Sequence, residues 1–140
     1  MRAAGLALWL LLAPAPAAAA ERARAQVACV PAGPAFTYDC TIRLTGEASG
    51  APLTGVEVTV GADMPSMPMA HNVRPARARP GGAPGEYAVR LELEMHGHWA
   101  LRLRLSGAVR DQVFAHLVFT STAVLTAEPG PVPAPHRPHR

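Results

Sequence analysis

The sequence predicts an all-β domain, a small antiparallel immunoglobulin-like β-sandwich of about seven strands. Two observations carry this. First, apolar and polar residues alternate with a period of two, from Tyr87 to Met95 and again from Trp99 to Leu105, as in half-buried strands. Second, short runs rich in β-formers are separated by Gly- and Pro-rich turns roughly every ten residues, and no segment shows a helical period.

The chain opens on residues that belong to export. Arg2, the short apolar run Leu6 to Ala13, and Ala18-Ala19-Ala20 read as a signal peptide, residues 1–25, with cleavage after Ala20 or after Ala25. The run is shorter than the ~20 residues of a membrane-spanning helix, and Pro14 and Pro16 interrupt it. The mature protein is therefore expected in the periplasm or secreted, with no stable membrane insertion. The formal charge of the 140 residues is +3. A cut after Ala25 removes Arg2, Arg22, Arg24 and Glu21, which leaves ten Arg against nine Asp and Glu, a net of +1. The arginines alternate along strands and do not cluster with aromatics, which argues against nucleic acid as a partner.

The sandwich is expected over residues 26–125. Cys29 and Cys40 form a disulfide in this reading, because exported chains pair an even number of cysteines. Such a bridge contributes roughly 3 kcal/mol in the chain-entropy model. Phe36 to Thr45 and Gly55 to Gly61 alternate as strands, with turn chemistry from Gly46 to Pro52 between them. Residues 62–70 form a loop in which Pro65 and Pro68 keep the chain extended. Asn72 to Arg79 reads as a short edge strand, since Pro75 is tolerated only there. Pro80 to Pro84 is a turn. Tyr87–Met95 and Trp99–Leu105 then form a hairpin about His96-Gly97-His98. Glu92 and Glu94 pair across it with Arg102 and Arg104, and Met95 faces Trp99. Gln112 to Thr120 is the last strand, with His116 on its surface face. The Pro-rich residues 126–140, with His136 and His139, form a disordered tail.

The chemistry-bearing residues gather in two patches. Four of the five methionines lie there and the fifth is the initiator: Met64, Met67 and Met69 in the first patch, Met95 in the second. His71, His96 and His98 share these patches. In an extended loop Met67, Met69 and His71 fall on one face, because their spacing is i, i+2, i+4. A sandwich collects its loops at two ends, so the two patches are expected at the same end. The thioether–imidazole set of Met64, Met67, Met69, His71, Met95, His96 and His98 suits a copper ion. It favours Cu(I) and admits Cu(II) through the imidazoles. Neutral soft sulfur is a poor ligand for Ca²⁺ or Zn²⁺, and methionine persists as a ligand where thiols are oxidised. The competing reading makes the methionines gap-fillers of an apolar core. Met95 suits that role because it continues the Leu93 face, and Met64, Met67 and Met69, in a Pro-rich loop, do not. Trp99 is expected as core packing rather than as a cation–π cap on the metal.

Met64-Pro-Ser-Met-Pro-Met-Ala-His71, Gly85-Glu-Tyr87 and Met95-His-Gly-His-Trp99, followed by an alternating strand, resemble the YtkA-like domain family over about residues 50–120. That family includes the exported or membrane-anchored FixH-type proteins, and the resemblance implies copper handling, in supply to haem–copper oxidases or in efflux. The cleavable leader departs from the membrane helix that FixH-type proteins keep. CopC-type copper sandwiches begin their mature chain with a histidine ligand, which neither Glu21 nor Gln26 supplies.

The sequence thus points to a periplasmic copper carrier or chaperone for copper delivery or tolerance. It would hold the ion on thioethers and pass it by ligand exchange to a copper-accepting membrane or periplasmic protein. The alternative is a metal-free interaction or assembly module of FixH type. No nucleophile–base arrangement is present, so the protein is not expected to be an enzyme.

Overall fold

A computed structural model describes residues 21–71 and 73–128. The expected leader through Ala20 and the tail histidines His136 and His139 lie outside the described residues. The strands are β1 (Ala23–Pro31), β2 (Thr37–Gly46), β3 (Val56–Asp63), β4 (Ala76–Arg77), β5 (Arg79–Pro80), β6 (Glu86–Glu92), β7 (Gly97–Gly107), β8 (Asp111–Phe119) and β9 (Val124–Thr126). They form two sheets, ordered β1-β2-β6-β5 and β4-β3-β7-β8-β9. Every pairing is antiparallel. The all-β sandwich expected from the alternation is the fold observed.

The alternating faces meet in one core. Tyr38, Ile42, Leu44 and Leu91 from the first sheet face Val58, Val60, Trp99, Leu101, Leu103 and Phe119 from the second, and all ten are nearly inaccessible to solvent. The disulfide is present. Cys29 and Cys40 are direct register partners on β1 and β2, with Cα atoms 4.0 Å apart.

Three expectations change. The hairpin of residues 87–105 is an arch: β6 and β7 lie in different sheets and face each other across the core. Glu92 is therefore opposite Thr37, Arg90 pairs with Asp39, and the guanidinium of Arg102 lies over the Phe114 ring. The Glu92/Glu94 pairing with Arg102/Arg104 does not form, and Met95 does not face Trp99 across a ladder. A period of two marks a half-buried strand in either arrangement, so it does not tell hairpin from arch. The true hairpin is β7–β8, which turns at Gly107 with φ 83°.

Second, β1 begins at Ala23, three residues before the expected domain start. Its inward residues Ala23, Ala25 and Val27 are small, which gives a weak strand signal. Third, the edge strand is split. β4 pairs with β3 and β5 with β6, so residues 76–80 close the same side of both sheets, with Pro80 at the edge.

Candidate metal site

The loop after β3 is built from turns. Asp63 Oδ1 accepts from the Met64 N–H at 2.9 Å and fixes the exit from the strand. Met67 N–H then donates to Met64 O at 3.0 Å, and Ala70 N–H to Met67 O at 3.2 Å. Each turn has its proline, Pro65 or Pro68, at the second position, where the fixed φ of proline starts a turn as readily as it holds a strand. Met69 is the third residue of the second turn, with φ 61°. The loop is therefore not extended, and the shared face expected for Met67, Met69 and His71 is lost.

Turning the chain also redistributes its methionines. Met64 swings inward and is buried at 5% exposure within the core cluster. Met67 and Met69 remain at the surface, 41% and 93% exposed. Met95 is 38% exposed. Sequence parity had placed Met64 in the loop and Met95 in the core, so these two exchange roles.

The two patches do meet at one end of the sandwich. Gly97, with φ 133°, passes so close to Met64 that a Cβ there would stand 2.9 Å from the Met64 Cε. The His71 ring lies 5.0 Å from the Trp99 ring, tilted by 55°. Trp99 is fully buried, as expected of a core residue, and its Nε1–H donates to Met95 O at 3.1 Å. The indole thus touches both patches, holding the backbone of Met95 through Nε1–H and packing against the His71 ring.

His71 has the most constrained environment in the region. Its Nδ1 is 2.6 Å from Glu94 Oε2, and its side chain is only 10% exposed. An ionised carboxylate only accepts, so Nδ1 donates, and in the neutral ring Nε2 keeps the lone pair. Nε2 is buried and has no hydrogen-bond partner among the described residues. Leaving a buried polar atom unsatisfied costs about 1–3 kcal/mol. A carboxylate on one imidazole nitrogen and an open lone pair on the other is the arrangement that presents histidine to a metal ion. Glu94 was missed as an orienting residue, because the hairpin reading put it on a charged outer face. Its place directly before Met95 was the signal available.

The other two histidines of the patches diverge. His96 packs edge-on against Phe36, ring centroids 4.8 Å apart. His98 points to the outer face of the second sheet, where its Nε2 is 3.2 Å from His116 Nδ1. The seven expected ligands therefore do not converge as one set. His71, Met64 and Met95 are brought to one end of the fold. Met67 and Met69 lie on the exposed loop there, and His96 and His98 turn away. Among the described residues no three His, Cys, Asp or Glu side chains group as a metal set, so any site at this end depends on methionine. An open cleft of about 490 Å³ runs beside the loop, bordered by Asp63, Met69, His71, Ala100, Arg102 and Phe114 among others.

Fold and site together define a small antiparallel β-sandwich that carries surface methionines and a carboxylate-held histidine at one end. The chain belongs to the YtkA-like family, whose model matches residues 20–104. No curated relative and no solved structure matches it.

Proposed function

We propose that the protein is an exported copper carrier that holds Cu(I) at the end of the sandwich that carries His71, Met64 and Met95. The observation that carries this reading is the His71 ring, with Nδ1 held by Glu94 and Nε2 buried and unpartnered. Imidazole and neutral thioether are the donors at hand, and together they suit Cu(I). Met67 and Met69 on the exposed loop are placed to receive the ion or to release it by ligand exchange. Met69 supports this in a second way. A non-glycine residue at positive φ costs roughly 1–2 kcal/mol, and a side chain 93% exposed returns little by packing. The acceptor in this reading is a membrane or periplasmic protein with competing copper ligands.

Export is part of the proposal. It rests on the leader-like residues before Glu21 and on the Cys29–Cys40 disulfide, which suits an oxidising compartment. Cleavage after Ala20 is the better of the two cuts. It leaves Glu21, whose carboxylate accepts from the backbone N–H groups of Ala48 and Ser49, and it leaves β1 whole. A cut after Ala25 removes three residues that pair with β2 and the Ala23 N–H that donates to Asp111 Oδ2 at 2.9 Å.

Titration with Cu(I) in ascorbate, against a chromophoric chelator, tests the reading while leaving the disulfide intact. One tightly held Cu(I) per chain, lost in His71→Ala, is the expected result. Failure to compete at any ratio overturns it and leaves the metal-free assembly module.

A further inference from the structure

The outer face of the second sheet carries a pair of histidines that the Cu(I) site does not use. His98 on β7 and His116 on β8 are diagonal neighbours: His98 is opposite Val118, and His116 is opposite Ala100. Their side chains project away from the core, since Trp99 and Leu117, the adjacent residues on each strand, are the buried ones. Diagonal positions on one face of an antiparallel pair are within reach for long side chains, and here the rings meet. His98 Nε2 and His116 Nδ1 are 3.2 Å apart, the ring centroids are 5.4 Å apart, and the planes are inclined at 64°.

We infer that His98 and His116 form a second metal site, a two-imidazole chelate for a divalent ion, with Cu(II) preferred over Zn(II). The nitrogen separation carries the inference. Two imidazole nitrogens bound to one ion at ~2.0–2.1 Å each stand about 2.9–3.4 Å apart, for angles from roughly square-planar to tetrahedral. The observed 3.2 Å lies inside that window, and an ion bound to both nitrogens would sit to one side of the line joining them, so each ring turns to aim its lone pair at the ion. Both rings are half-buried on rigid, paired strands, which lowers the ordering cost of chelation. His116 also borders an open cleft of about 440 Å³ between β1 and β8, lined in addition by Gln26 and Thr126, so water has access to complete the coordination. The ladder neighbours on this face are Ala100, Arg102, Phe114 and Val118, with Asp63 of β3 opposite Ala100; none is a sulfur ligand, and Met69 borders the cleft beside Ala100, Arg102 and Phe114 rather than the histidine pair. Nitrogen and water donors without sulfur select a borderline divalent ion over Cu(I), and the affinity order for such donors places Cu(II) above Zn(II).

Cu(II) as the bare ion, added to the oxidised full chain, is the probe. His136→Asn and His139→Asn are introduced together as the background, to remove the tail imidazoles. The expected result is one Cu(II) per chain with nitrogen hyperfine structure in its electron paramagnetic resonance spectrum. His98→Gln and His116→Gln should each weaken it by more than ~10-fold, the least that even an outer-shell change commonly costs. Cu(I) affinity should stay unchanged in both variants, which separates this site from the one at His71. Wild-type Cu(II) affinity in the two Gln variants overturns the inference. A second measurement needs no substitution at the pair: paramagnetic broadening of backbone amide signals by Cu(II) should centre on residues 97–100 and 115–118. Broadening centred on residues 63–71 or on the tail overturns it equally.

Discussion

Strands β6 and β7 and the loop from Met64 to His71 are adjacent in space and opposite in construction. The strands bury every second side chain, satisfy their backbone through ladders, and leave mostly polar, charged or small side chains outside. The loop satisfies its backbone through two tight turns. It keeps one methionine inside and two outside, and it leaves a buried imidazole nitrogen without a partner among the described residues. On the proposed reading, the difference separates stability from copper binding. Substitutions in the strands should unfold the protein and affect copper only through unfolding. Substitutions at the exposed part of the loop and at His71 should affect copper and barely touch the fold.

The largest effects test both halves of that statement. Leu103 is completely buried between the sheets, so Leu103→Ala should cost about 2–5 kcal/mol of stability in denaturant unfolding. The folded fraction should still bind Cu(I) as tightly as wild type. His71→Ala should do the converse, with Cu(I) affinity lost and the denaturation midpoint of the metal-free protein nearly kept. Glu94→Gln is graded between them. The amide still reaches Nδ1 but no longer requires it to be the donor, so Cu(I) affinity should fall by roughly 10–100-fold, as when a carboxylate that orients a metal-bound histidine is lost. A Glu94→Gln protein that binds as wild type would mean that the carboxylate does not set the tautomer.

The same contrast explains what could be read from the sequence. The core faces of β2, β3, β6, β7 and β8 were legible because a period of two is a local property of the chain. The destination of the β6–β7 connection was not, because Leu93 and Met95 continue the same parity into a hairpin or into an arch. The clustering of both methionine patches at one end followed from sandwich architecture and is what the contact of Met64 with Gly97 and of His71 with Trp99 reports. Individual directions inside the loop were not legible. Pro65 and Pro68 are compatible with extended chain and with the second position of a turn, and that one ambiguity reverses Met64 and separates Met67 from Met69. The His98–His116 pair needed the β7–β8 register, which no local pattern supplies.

Met69 isolates the loop from the frame at a single residue. Its positive φ is strained for methionine and natural for glycine. Met69→Gly should therefore raise the stability of the metal-free protein, or leave it unchanged, by up to about 1 kcal/mol, the relief of left-handed strain being offset by the greater freedom of the unfolded glycine. Copper delivery to a chelator should change at the same time, because an exposed thioether has been removed from the exchange path. A loss of stability beyond ~1 kcal/mol would show that Met69 packs on the sandwich and would move it to the frame side of the comparison.

The smallest expected effect is acid sensitivity, and it assigns a further property to the frame. Asp39 is held below the usual carboxylate range by its hydrogen bonds and charge pairing with Arg90. Asp111 is lowered by the backbone N–H of Ala23, then by that of Gln112, with Arg22 adding to it. Both groups have folded values below their unfolded ones. Each therefore contributes stability that is fully present above the ordinary carboxylate range and is lost as pH falls through the depressed value. Asp39 is exposed and Asp111 is partly exposed, so solvent screening keeps the contribution small. Replacing them together, Asp39→Asn with Asp111→Asn, preserves much of the hydrogen bonding and removes the titration. The double variant should be slightly less stable than wild type at neutral pH, and the gap should close as pH falls below the ordinary carboxylate range. Its Cu(I) affinity at neutral pH should match wild type, since neither residue touches the loop. A gap that persists unchanged at low pH would show that the two carboxylates act through shape and not through charge. A fall in Cu(I) affinity would show that the first strand and its Asp111 anchor are coupled to the copper end, and the division between frame and loop would have to be redrawn.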